Sequence, residues 1–195
     1  MGVRVPPGSP TDRGHHMDRS RYIIELPELA YDRAALLCLV NNPDAQWFHY
    51  VTPDNRTVEH RQLKMPDINI PCVKHILDQL HPDLDVDRGS CKFLRMEPHY
   101  EMPAHIDPPR TAALMFKIEP TADMAPLRWV TNDGDVLFEY NYRHPVLINT
   151  KLRHGVINNQ YQRTNFQISL QMQWQDLLDL ETSGKLLLGK DRELY

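Results

Sequence analysis

Long apolar runs are missing from this 195-residue chain. The longest fall far short of the roughly 20 residues that a helix needs to cross a bilayer, so the sequence reads as that of a protein outside the membrane. Cysteine is scarce: Cys38, Cys72 and Cys91 are odd in number and form no CxxC pair. That predicts three reduced thiols in a cytoplasmic protein. Basic blocks are missing too. Lys and Arg number 22 against 26 Asp and Glu, a net charge of −4, which leaves no electrostatic footprint for a nucleic-acid partner. Residues 1–17 hold no continuous apolar segment, so they do not make a secretory signal, and they are expected to be a disordered N-terminal extension. There are no repeats or low-complexity tracts.

What is present is a globular balance, 41% apolar and 25% charged. Residues 18–195 are long enough for one domain with a real hydrophobic core. Helical spacing recurs at Ala34, Leu37, Cys38 and Val40, and again at Val73, Ile76, Leu77 and Leu80 behind Pro71, a residue suited to a first helical position. Strand-like runs precede and separate them at 21–29 and 46–52. From Cys91 onward short runs of strand length follow one another, at 91–96, 111–118, 127–130, 136–140, 145–150, 154–158 and 164–174. Turn residues separate them, including the hairpin signal Asn132-Asp133-Gly134. The end of the chain reads as a helix broken near Ser183-Gly184. The pattern predicts a mainly β protein with flanking helices, folded as a jelly roll or barrel, with a core over about 91–174.

The run over 164–174 is the clearest element. Phe166, Ile168, Leu170, Met172 and Trp174 alternate with Asn165, Gln167, Ser169, Gln171 and Gln173. A period of two places the apolar set on one face and an uncharged polar set on the other. Two readings are open for the polar face, the lining of a polar pocket or plain exposure to solvent. Trp129 and Trp174 read as core.

Metal-ligand spacing is common enough here to need context. With 10 histidines and 26 acidic residues, about one His-x-Asp/Glu match is due to chance, yet the chain holds four, at His16, His81, His99 and His105. His16 lies in the extension, His81 in a polar connection, and Glu101 after His99 precedes Met-Pro in an expected loop. Only His105-Ile106-Asp107 runs into a strand, across Pro108-Pro109-Arg110, and a rigid strand end is where ligands need to sit. His99 and Glu101 remain the alternative pair. Two histidines and one carboxylate on one face of an octahedron leave three positions open, the arrangement of a mononuclear non-haem Fe(II) centre. The second histidine is either His144 or His154, each with an arginine nine residues on, Arg153 or Arg163. His154 is favoured, because Arg163 opens the alternating strand and a fixed guanidinium suits bidentate carboxylate binding.

Residues 105–107 (HID), 147–158 (LINTKLRHGVIN) and 163–170 (RTNFQISL) together resemble the Fe(II)/2-oxoglutarate-dependent oxygenases, and more narrowly the aspartyl/asparaginyl β-hydroxylase family. The resemblance covers roughly residues 91–174. It implies a double-stranded β-helix, with His105, Asp107 and His154 as iron ligands and Arg163 on the distal carboxylate of 2-oxoglutarate. It further implies hydroxylation of an unactivated C–H bond with O2, releasing succinate and CO2. The substrate implied is an amino acid, free or peptidyl Asp, Asn or Pro. Because Asp107 is kept, hydroxylation is expected rather than halogenation. Asn149 and Asn165 are weaker candidates as hydrogen-bond donors to the co-substrate. Arg110 is open between a contact to substrate or 2-oxoglutarate and a plain surface charge. The rival readings are a cupin-like metal isomerase or lyase that does not use 2-oxoglutarate, for which Arg163 has no purpose, and a non-catalytic binding domain.

Overall fold

In the computed structural model, which describes residues 18–51, 57–62, 67–84, 86–107, 110–119 and 124–188, the alternating run turns a face to each of two cores. The expected extension at 1–17 lies outside the described residues. The strand itself is β11 (Arg163–Leu170). Phe166, Ile168 and Leu170 enter one apolar cluster with Phe93, Phe116 and the helix residues Leu36, Val73, Ile76 and Leu177. The opposite face of β11 is also closed to solvent: Arg163 and Asn165 are 0% exposed, Gln167 1% and Ser169 3%. Burial therefore settles the question left by period two alone. The polar face lines an interior.

Among the described residues eleven strands make two antiparallel sheets. The larger runs β1 (Ile23–Glu25), β9 (Val146–Asn149), β6 (Ala112–Glu119), β11, β4 (Val86–Met96), β3 (Thr57–Gln62), β2 (Phe48–Val51). The smaller runs β5 (Glu101–His105), β10 (His154–Ile157), β7 (Leu127–Val130), β8 (Val136–Tyr140). From β4 to β11 the chain passes large, small, large, small, small, large, small, large. This is the winding of a double-stranded β-helix, and β1 to β3 extend its larger sheet.

The helices α1 (Arg33–Val40), α2 (Pro71–Leu77) and α3 (Trp174–Thr182) supply residues to the cluster on the outer face of the larger sheet. Asp32 caps α1, its carboxylate accepting from the Ala35 amide at 2.9 Å, and Pro71 begins α2 at a position where its missing N–H breaks nothing. A second cluster fills the space between the sheets with Tyr22, Met96, Met115, Trp129, Tyr142 and Val156 among others. Strand residues alternate between the two cores. In β9, Val146 and Ile148 face the space between the sheets and Leu147 faces the helices.

Three expectations need correcting. The last strand ends at Leu170, and Trp174 instead begins α3, with its indole donating to the Ser20 carbonyl at 2.9 Å. Residues 101–105, read as a loop because of Pro103, form β5. That strand is the edge of the smaller sheet, where a proline interrupts no second ladder. Thr57–Gln62, a charged run with no strand signal, forms β3 between β2 and β4. The hairpin at 132–134 joins β7 to β8 as expected, with Gly134 at φ 93°.

Candidate active site

His105 is the last residue of β5, and His154 the first of β10. The register of the two strands sets them directly opposite one another, with ring centroids 4.8 Å apart. Such closeness has a backbone cause. Gly155 follows His154, and a Cβ there would meet the Met102 carbonyl oxygen at 2.7 Å and the Ala104 Cα at 3.1 Å. Only glycine lets the two strands come together at this point. Asp107 lies just beyond β5, its amide donating to the Thr150 carbonyl at 3.2 Å. Its carboxylate sits 3.5 Å from His105 Nε2 through one oxygen and 3.5 Å from His154 Nε2 through the other.

Both imidazoles are oriented from behind. His105 Nδ1 lies 2.8 Å from the Pro103 carbonyl, and His154 Nδ1 lies 2.8 Å from the Leu152 carbonyl. A carbonyl only accepts, so each Nδ1 carries a hydrogen, and Nε2 is the nitrogen whose lone pair becomes available when the ring is neutral. Among the described residues this is the only group of three His, Cys, Asp or Glu side chains that comes together as a metal site would, with ligand atoms within 4.8 Å of one another. It is partly open, His105 being 38% exposed, Asp107 17% and His154 6%. Burial by itself raises the Asp107 pKa, but the two rings and the Arg110 guanidinium outweigh it and hold the carboxyl well below the usual range. Asp107 in turn raises the pKa of His105, with burial opposing.

Arg110 is not a surface charge. Its side chain is 15% exposed, and its Nε and one terminal nitrogen donate to the same Asp107 oxygen at 2.9 and 2.6 Å. The other terminal nitrogen donates to Ser169 Oγ at 3.3 Å, tying the Asp107 carboxylate to the polar face of β11. The rival ligands are elsewhere. His99 and Glu101 are exposed, His99 in the β4–β5 turn, and His144 and Arg153 are also exposed.

Farther along β11, Arg163 is buried completely. One terminal nitrogen donates to the Ala125 carbonyl at 2.9 Å, and the other lies 3.4 Å from the Tyr142 hydroxyl. Its Nε has no hydrogen-bond partner, and no carboxylate pairs with it among the described residues. Tyr142 donates to Asn165 Oδ1 at 2.7 Å, and the Asn165 amide nitrogen, also buried, has no partner. Burial pushes the Tyr142 phenol up, with Arg163 opposing, so it stays a neutral donor. An unpaired guanidinium out of water is costly, by several kcal/mol. Two orphaned donors and a phenol around it make a cradle for an anion.

Two further residues complete the picture. Lys92 on β4 lies opposite Gln167 in register, on the face that Cys91 and Phe93 do not take. Burial pushes the Lys92 pKa down, helped by Arg110 and opposed by Asp107. Asn149 does not join the group. It follows Leu147 onto the helix side of β9, and its amide is engaged, Nδ2 with the Arg21 carbonyl at 3.1 Å and Oδ1 with the Lys151 amide at 3.1 Å. Tyr142 and Lys92 escaped the reading of the sequence. Tyr142 stands in a connection with no periodicity, whereas Lys92 left a faint signal, a charge between the two buried apolar positions Cys91 and Phe93. A surface cavity of about 430 Å³ lined by Ile24, Leu26, Leu178 and Leu186 contains none of these groups.

No family model and no curated protein matches the sequence. Solved structures do match the fold. An oxidoreductase of the 2OG-Fe(II) oxygenase family from Burkholderia pseudomallei superposes with a TM-score of 0.54 at 14% identity, over 76% of this chain and 85% of its own. A prolyl-4-hydroxylase from Pseudomonas putida gives 0.53 at 13% identity, over 80% and 96%. A Trichoplax adhaerens prolyl hydroxylase, solved with a hypoxia inducible factor peptide fragment, gives 0.52 at 13%, over 76% and 81%. The fold is that of the 2OG-Fe(II) oxygenases. In this double-stranded β-helix the His-Asp-His group joins the ends of β5 and β10, and the buried arginine begins β11.

Proposed function

We propose that this protein is an Fe(II)- and 2-oxoglutarate-dependent oxygenase that hydroxylates an amino acid, free or within a peptide. One observation carries the reading: a His-Asp-His triad and a buried guanidinium without a carboxylate partner share the space between the two sheets. His105, Asp107 and His154 would hold the iron, and the donor set fits. Two imidazoles would present Nε2 beside one carboxylate, which suits a divalent ion of intermediate softness. Bound iron supplies the chemistry, oxidising an unactivated C–H bond with O2 while 2-oxoglutarate is converted to succinate and CO2.

The chain's own residues do the positioning. The Pro103 and Leu152 carbonyls fix the two ring tautomers, and Arg110 holds the Asp107 carboxylate in place. Arg163 and Asn165, held by Tyr142 between them, offer donors to the distal carboxylate of 2-oxoglutarate, in a region closed to water, where such bonds are strongest. Asn149 is left out of that role. The assignment to the aspartyl/asparaginyl β-hydroxylase family rests on the three quoted stretches of sequence. The prolyl hydroxylases among the structural neighbours support an amino-acid substrate more generally. A cupin-like isomerase or lyase would use the same triad and leave the Arg163 cradle without purpose.

The test is anaerobic addition of Fe(II) and 2-oxoglutarate, read by the visible metal-to-ligand charge-transfer band. The band is expected in the wild type and weakened in Asp107→Ala, His154→Ala and Arg163→Ala. A folded, iron-bound protein with no band would overturn the reading in favour of other metal chemistry.

A further inference from the structure

Among the described side chains, the cations facing the space between the sheets outnumber the carboxylates. Lys92, Arg110 and Arg163 are within it or at its edge, and Asp107 is the acid that the described contacts place among them. If the proposed function holds, each anion among the described residues on that side, and each that the co-substrate brings, is already assigned. Asp107 would hold the metal, and Arg163 would take the distal carboxylate of 2-oxoglutarate. Arg110 stays on Asp107 through two short hydrogen bonds. Lys92 is left over.

Its position is specific. Cys91 and Phe93, its neighbours on β4, are fully buried in the cluster under the helices, and Met96 lies in the cluster between the sheets. The alternation therefore turns Lys92 inward, beside Gln167. Gln167 donates to Ser169 Oγ, which also accepts from Arg110. A polar row thus runs from Lys92 to the metal-site carboxylate. Lys92 is half-buried, makes no hydrogen bond or ion pair among the described residues, and lies close enough to Arg110 and Asp107 to feel both charges. A partly desolvated ammonium with no directly paired carboxylate is unfavourable, and an incoming anion reduces that penalty.

We propose that Lys92 anchors a carboxylate of the substrate beside the His105–Asp107–His154 group, so that the enzyme acts on an amino-acid carboxylate rather than on a neutral amide. The ammonium fixes one end of the substrate, and the row through Gln167 and Ser169 sets its distance from the metal. This inference rests on the iron and 2-oxoglutarate reading and names the substrate class for the same site.

The test uses the full chain loaded with Mn(II) and 2-oxoglutarate. Free L-amino acids and N-acetyl-L-aspartate, each beside its carboxamide, are titrated calorimetrically into wild type, Lys92→Met and Lys92→Arg. At least one carboxylate is expected to bind wild type about thirtyfold more tightly than its amide. Lys92→Met loses that preference while Lys92→Arg keeps most of it, a rescue that loss of folding would not permit. The affinity for 2-oxoglutarate, read from the Fe(II) charge-transfer band, stays within about twofold of wild type in Lys92→Met. Equal binding of acid and amide, or binding of neither, overturns the proposal. So does a Lys92→Met variant that loses 2-oxoglutarate instead, which would place Lys92 in the co-substrate site. Absence of the band in wild type is a different result and removes the reading beneath it.

Discussion

His105 shows how a single contact would set the behaviour of the proposed metal site. Asp107 beside it raises its pKa above the ordinary 6.5, so before metal binds the ring keeps a proton that a free imidazole would have lost. A metal ion must displace that proton. Affinity for Mn(II) is therefore expected to fall on acidification, beginning above pH 6.5, with proton release in calorimetry across buffers of different ionisation enthalpy. Affinity unchanged between about pH 6 and pH 8 would contradict His105 as a ligand. The stability of the metal-free protein follows the linked signs. The charged His105 contact stabilises fully below pH 6.5 and is lost as pH rises through the raised value. The Asp107 contribution is present above its ordinary 3.8 and is lost as pH falls through its depressed value.

At the scale of elements, the candidate site depends on the approach of β5 to β10. Gly155 makes that approach possible, because a side chain there would strike the backbone of Met102 and Ala104, which has no rotamer through which to yield. Gly155→Ala is expected to separate the strands and shift His154 relative to His105. The cost in stability is about 1–3 kcal/mol, the range for forced overpacking. Urea unfolding measures that part. Metal affinity should fall further than stability does, about tenfold or more, because ligand geometry tolerates little displacement. Wild-type metal affinity in the variant would mean that the strands can part without moving the rings. The edge position of β5 explains why Pro103 is tolerated within a strand that carries a ligand at its end.

For the whole molecule, the two sheets are joined at the site by polar contacts as well as by the apolar cluster between them. The Asp107 carboxylate, just past β5 of the smaller sheet, is tied through Arg110 to Ser169 on β11 of the larger one. Ligands that occupy the interior should therefore brace both sheets together. Saturating Mn(II) with 2-oxoglutarate is expected to add about 3 kcal/mol at a hundredfold excess over Kd, and to raise Tm by several degrees in a chain of this size. Arg163→Met should keep the increment from Mn(II) alone and lose the one from 2-oxoglutarate. Thermal scans with and without each ligand decide it, and an undiminished 2-oxoglutarate increment would contradict the Arg163 cradle.

Much of this was written locally. The α1 and α2 periods, the β7–β8 hairpin and the alternation in β11 follow from side-chain spacing, because one buried face per element leaves a period of 3.6 or 2 in the chain. The order of His105, Asp107, His154 and Arg163 was likewise legible. Other features were not, because they depend on residues far apart in sequence. Strand β5 hid behind Pro103, since only sheet order reveals an edge. Asn149 looked like a co-substrate contact until the alternation of β9 turned it toward the helices. Tyr142 acquires a role only because its connection packs against β11. The polar face of β11 was undecided between solvent and pocket for the same reason. Period fixes which residues share a face, but what covers that face depends on the second sheet, whose strands lie elsewhere in the chain.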